Sequence, residues 1–212
     1  MRASYVAEFA GTAFLLAVIT GSGIAGDALS QGHQGVALLA NSLATGAGLL
    51  VLLSVLGPVS GAHLNPLVSL GFMWRGELSI RMGLAYMACQ FSGAFAGVLA
   101  AHAMYGMPLL QLSSRSRSGL PMMLSEFVST IALLAVVFLG IRHARASVPL
   151  LVACTVMTGY WFTSSTFFAN PAVTLARVFS DTFVGIRPED LLLFACGQTL
   201  AMLAWLPFIR RV

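Results

Sequence analysis

The chain is 212 residues long, 58% hydrophobic and only 8% charged, with a formal net charge of +4. Its mean hydropathy of +0.89 excludes an ordinary soluble domain, in which about a quarter of the residues are charged, and points to a chain that crosses a bilayer several times. All eleven basic residues are arginines scattered at the ends of apolar runs, which fits a lipid bilayer better than a polyanion, so no nucleic acid partner is expected.

Six apolar runs approach the ~20 residues that a helix needs to cross hydrocarbon: residues 3–24, 35–56, 82–105, 121–141, 147–162 and 190–208. The first follows Arg2 in the manner of a signal peptide, but Glu8 interrupts it and it belongs to a repeat, so it is expected to be retained. Breaks between runs carry Gly26-Asp27, Gln31-Gly32 and Arg142-His143-Ala144-Arg145. After the second run, Asn65 precedes Pro66. Proline suits a first helical position, where its missing N–H costs nothing, and the asparagine before it reads as a helix cap. From Pro66 to Arg75 the helix would measure ~15 Å, about half of a ~30 Å hydrocarbon core. Gln90 lies in the third run. A polar stretch containing Arg115-Ser116-Arg117-Ser118-Gly119 follows.

The pattern then recurs. Glu126-Phe127-Val128-Ser129-Thr130 in the fourth run matches Glu8-Phe9-Ala10-Gly11-Thr12 in the first. Asn170-Pro171-Ala172-Val173-Thr174-Leu175 shares four of six residues with Asn65-Pro66-Leu67-Val68-Ser69-Leu70, at an offset of 105 residues (65 to 170), and Gln198 in the sixth run matches Gln90. Each half reads as span, span, Asn-Pro segment, span. The expected organisation is one domain, 1–212, with halves 1–106 and 121–212 joined by linker 107–120. Three spans per half is an odd number, so the repeat is inverted. The arginine distribution favours both termini in the cytoplasm. Arg2, Arg75, Arg81, Arg142, Arg145, Arg210 and Arg211 then lie inside, and Arg115, Arg117, Arg177 and Arg187 outside.

Two half-helices entering from opposite faces would meet N-terminus to N-terminus near the midplane. Each end carries about half a positive charge, so their meeting repels cations, while the asparagine amides offer donors to a small uncharged solute. A water accepting from both asparagines would donate outward on each side, which interrupts a proton wire. Glu8 and Glu126 admit two readings: snorkelling to the interface, or accepting hydrogen bonds from the irregular backbone before each half-helix. Gln90 and Gln198 either share that task or glue helices together. His63 is placed to line the inner approach to the pore. The histidines lack metal-site spacing, and Cys89, Cys154 and Cys196 form no CxxC pair, so no metal, cofactor or catalytic triad is expected and the chain is not read as an enzyme. An ion-coupled carrier built on broken helices is a further class, and a non-conducting scaffold another; the carrier would need acidic groups inside the spans.

These motifs, with Ser60-Gly61-Ala62-His63-Leu64-Asn65-Pro66 and Phe168-Ala169-Asn170-Pro171-Ala172, resemble those of the aquaporin and aquaglyceroporin family. The resemblance implies an all-α membrane protein with six transmembrane helices and two half-membrane re-entrant helices in a right-handed bundle, one pore per subunit and a homotetramer. The first signature here is Asn65-Pro66-Leu67 where the family usually has alanine third. Register from the signatures places the outer selectivity filter at Thr45, Thr158, Phe167 and Val173, the last replacing the family's usual arginine. Arg177 is read as an interface anchor or as a partner of Asp181. Such a wide, neutral filter is similar to that of bacterial aquaglyceroporins associated with arsenic resistance. It implies arsenous acid, methylated arsenicals, glycerol and water as solutes, with water conduction alone as the alternative, in a bacterial inner membrane.

Overall fold

A computed structural model describes residues 2–209; Arg210 and Arg211, counted above for orientation, lie outside the described residues. Eight α-helices follow one another with no strand among the described residues: α1 Arg2–Leu29, α2 Gln34–Ser60, α3 Pro66–Trp74, α4 Ile80–Met104, α5 Leu120–His143, α6 Val148–Phe162, α7 Pro171–Arg177 and α8 Leu191–Ile209. Five of these, α1, α2, α4, α5 and the region of α8, are long and apolar enough to span a membrane. The sixth, α6, has 15 residues. It falls short because the chain leaves it at Thr163 in an extended conformation and runs on to α7.

Two boundaries differ from the sequence reading for local reasons. Gly26-Asp27 is not a break but the last turns of α1, where glycine admits the backbone of Ala37: its carbonyl oxygen would stand 3.1 Å from any added Cβ. The second helix runs on to Ser60 and stops at Gly61, whose φ of 88° is a left-handed cap; its N–H closes the last turn on Gly57 O at 2.9 Å.

The helices pack in two equivalent sets. α1 lies against α4 and α2, as α5 lies against α8 and α6; α3 touches α4 and α8, as α7 touches α8 and α4; α2 meets α6 and α3 meets α7. Exchanging the first four helices for the second four leaves this pattern unchanged. Without a hydrophobic drive between helices in lipid, such contacts rely on close backbone approach. Gly93 and Gly97 of α4 provide it, since a Cβ at either would collide with the carbonyl oxygens of Phe9 and Ala13 on α1. Gly197 of α8 does the same against Met123 O of α5. Large apolar side chains such as Val6, Phe14, Val51, Leu84, Leu150 and Leu203 remain exposed, the outward face expected of a protein whose solvent is hydrocarbon.

Candidate functional site

The centre of the molecule is built from two irregular segments that lead into α3 and α7. Non-glycine residues rarely adopt positive φ, yet Ala62 (47°) and Leu64 (49°) do so before α3, and Phe167 (56°) and Ala169 (47°) do so before α7. Each such residue costs on the order of 1–3 kcal/mol and persists only where its surroundings determine it. Two fully buried carboxylates supply that constraint. Glu8 accepts from His63 N at 2.9 Å, Leu64 N at 2.8 Å and Ser60 Oγ at 2.6 Å. Glu126 accepts from Phe168 N at 3.0 Å and Ala169 N at 2.9 Å. Neither carboxylate reaches an interface. Gln90 donates to Glu8 (2.8 Å) and to Ser69 Oγ (2.9 Å), and Gln198 donates to Glu126 (2.6 Å) and to Thr174 Oγ1 (2.8 Å), so each glutamine ties a long helix to a short one.

Both asparagines cap their helices through Oδ1. Asn65 accepts from Leu67 N at 2.9 Å, and Asn170 accepts from Ala172 N at 3.0 Å and Val173 N at 3.4 Å, with Pro66 and Pro171 at the first helical positions. Their amide nitrogens cross over. Asn65 Nδ2 donates to Ala169 O and Asn170 Nδ2 donates to Leu64 O, each at 2.8 Å, so the two short helices meet head to head. An amide NH₂ has two protons. One on each asparagine holds the opposite segment in place, which leaves one for a solute.

A cavity of about 120 Å³ runs past this junction, with room for several water-sized molecules. Asn65, Asn170 and His63 line it, as do Thr45, Phe167 and Val173. Pro66, Leu67, Pro171 and Ala172 stand behind it as helix framework. His63 is held by a 3.0 Å contact from Nδ1 to Ser69 Oγ and by stacking on Phe72, ring centres 4.4 Å apart. Thr158 does not face the cavity. It is exposed on α6, and its hydroxyl donates back to Cys154 O (2.9 Å) and Thr155 O (3.0 Å). Counting residues back from Asn170 misplaced it because helix geometry sets which residues share a face: Val152, Val156 and Tyr160, four apart, line the cavity, and Thr158 lies on the other side. Tyr160 faces the cavity instead, its hydroxyl 3.2 Å from Thr45 Oγ1. The four-residue spacing of Val152, Val156 and Tyr160 was the available signal.

Arg177 also differs from its sequence reading. It is 2% exposed, lines the cavity and lies over Phe168, with Cζ 3.4 Å from the ring centre; its Nε donates to Val184 O. Asp181 is engaged elsewhere, accepting from Ser114 N and Oγ at 2.8 and 2.9 Å, which lower its pKa. Arg117, counted in the sequence only for orientation, folds inward from the linker. Its Nε donates to Gly185 O at 2.8 Å and its backbone N–H to Asp190 at 2.7 Å, and burial with Arg115 nearby pulls its pKa down to about 10. His102 completes the fastening through Ser180 Oγ (2.9 Å) and Leu109 O (2.8 Å). Among the described residues no group of histidine, cysteine and carboxylate side chains could hold a metal ion.

Capped half-helices meeting head to head beside a largely apolar cavity are the architecture of a membrane pore. The family model of the major intrinsic proteins matches residues 1–197, and the chain belongs to that family. It is 47% identical over 217 residues to the aquaglyceroporin AqpS of Rhizobium meliloti, covering 97% of this chain and 93% of that protein. It is 35% identical over 106 residues to a probable glycerol uptake facilitator protein of Thermotoga maritima, covering 48% and 43% respectively. The fold is that of the aquaglyceroporin from Plasmodium falciparum, with a TM-score of 0.67 at 22% identity over 100% of this chain and 99% of that one. The protein is a multi-pass membrane channel for small neutral solutes and not an enzyme.

Proposed function

We propose that the channel passes small uncharged hydroxylated molecules, arsenous acid foremost, together with methylated arsenicals, glycerol and water. One observation carries this reading: each midplane asparagine has an amide proton left for a solute, in a cavity where Val173 and other apolar side chains make up most of the remaining wall. A triol-like solute losing its water meets two fixed donors there, while two helix N-termini repel cations. The name of the Rhizobium meliloti relative supports a pore wider than one for water alone. No Asp or Glu lines the cavity among the described residues, which speaks against ion coupling. In the same reading the channel sits in a bacterial inner membrane as a homotetramer with both termini cytoplasmic, each subunit made of halves 1–106 and 121–212 around linker 107–120.

Stopped-flow shrinkage of proteoliposomes tests it, with arsenite, methylated arsenite, glycerol and an impermeant osmolyte compared against protein-free vesicles. Non-saturating flux of the first three without sodium or proton dependence is expected. Water flux alone would reduce the protein to a water channel, saturating sodium- or proton-dependent flux would make it a carrier, and no flux would make it a scaffold.

A further inference from the structure

The offset of 105 residues that relates Asn65 to Asn170 relates side chains on either side of them as well. Ser69 and Thr174 each receive a glutamine N–H, Leu64 and Ala169 each accept from the opposite asparagine, and Val68 and Val173 both line the cavity. By the same offset His63 corresponds to Phe168, and Phe72 to Arg177. Both pairs are in ring contact. His63 lies on Phe72 with rings 19° from parallel, and the Arg177 guanidinium lies on Phe168. Each mouth of the pore thus ends in a planar, nitrogen-bearing group on an aromatic ring, with the donor on the loop at one end and on the half-helix at the other.

Arg177 has more to offer than an anchor uses. Its Nε is spent on Val184 O, and no carboxylate pairs with it among the described residues, so its two terminal nitrogens remain for the cavity it lines. Its Cα lies four residues, ~6 Å of helix, beyond Val173. Helical side chains lean toward the N-terminus over the preceding turn, so a side chain this long brings its N–H groups back toward the level of Val173.

We propose that Arg177 is the specificity-determining residue of the outer mouth: from the far end of α7, with Phe168 as its platform, it presents N–H donors to the hydroxyl groups of a permeating solute beside the small side chain of Val173. This assignment rests on the channel reading above. It gives the outer mouth both width, from valine, and a fixed requirement for acceptor oxygens.

The merely structural alternative, that Arg177 only fastens the loop at Val184, has a built-in control. Arg117 fastens the next carbonyl of the same loop, Gly185 O, and sits over the same Phe168 ring with Cζ 5.2 Å from its centre, but does not line the cavity. Glycerol and propane-1,2-diol, similar in size but differing by one hydroxyl, are compared in proteoliposomes after subtraction of protein-free flux. Arg177→Met should lower the preference for glycerol about 2- to 10-fold, the worth of one hydrogen bond, while Arg177→Lys retains part of it and Arg117→Gln leaves it at the parent value. A parent-like preference in Arg177→Met overturns the assignment. If Arg177→Met fails to insert, Arg177→Lys decides: a preference equal to the parent's overturns the assignment, since a single ammonium cannot reproduce the planar fork, and a reduced one supports it. Equal losses in Arg177→Met and Arg117→Gln overturn it too, in favour of loop anchoring. A parent that conducts neither solute defeats the channel reading and this assignment with it, whereas a conducting parent blind to Arg177 defeats the assignment alone.

Discussion

Thr45 and Tyr160, on α2 and α6, bring their hydroxyls to 3.2 Å inside the cavity, on a wall otherwise formed by Leu49, Val152 and Val156. The pair is therefore the main polar feature of that side. Tyr160→Phe keeps the ring and deletes one hydroxyl, worth about 0.5–1.5 kcal/mol net, and is expected to lower glycerol flux relative to water by about 2- to 10-fold. Thr158→Val, on the exposed face of the same helix, is expected to change neither flux. Vesicle shrinkage on both variants checks this, and the reverse outcome would restore Thr158 to the permeation path.

The asparagines combine two tasks that substitution can separate. In Asn170→Asp the oxygen that caps Ala172 and Val173 survives, but the donor to Leu64 O is replaced by a second acceptor. In Asn170→Leu both are lost, the cap alone being worth about 0.5–2 kcal/mol. Thermal unfolding in detergent should rank the parent above both variants, and solute flux should fall in both. Full parental flux through properly inserted Asn170→Leu would remove Asn170 from the path of the solute.

Much of this architecture could be read from the chain because it is written twice. Duplicated Glu, Asn-Pro and Gln positions located the two re-entrant segments, and the carboxylates could be paired with irregular backbone because backbone at that depth has no water to bond. What could not be read were directions. A count of residues from Asn170 carried Thr158 toward the pore, whereas the turn of α6 faces Tyr160 to the cavity and Thr158 away from it. The contact of Arg177 with Phe168 and with Val184 O, in place of an interface or Asp181, was likewise invisible. The crossing of the asparagine amides, and the inward fold of Arg117, depend on tertiary contacts between segments that no local pattern links.

Orientation is testable with the residues that bound the helices. With Cys89, Cys154 and Cys196 replaced by alanine, Ser116→Cys in the linker should react with an impermeant maleimide from outside intact cells. Ala146→Cys, exposed in the turn before α6, should react only after the cells are opened. The opposite labelling would place both termini outside and exchange the inner and outer mouths.

Val173 is the position at which the two accounts of the outer mouth meet. It is buried against the cavity one turn inside Arg177, and the cavity there amounts to about 120 Å³ in all. Val173→Arg would add a second guanidinium to a site that already holds one, occupying much of that space and setting two like charges within about 6 Å of each other along α7. Arsenite, methylated arsenite and glycerol should be lost first, with water surviving at a reduced rate because it needs the least room. Val173→Ala, which enlarges the same spot without charge, should leave the preference for glycerol over propane-1,2-diol unchanged, because the donors come from Arg177. Flux of all four solutes through the three channels in matched vesicles provides the check: an arginine variant as permeable as the parent would place Val173 outside the constriction, and an alanine variant that lost the preference would return the outer filter from Arg177 to Val173.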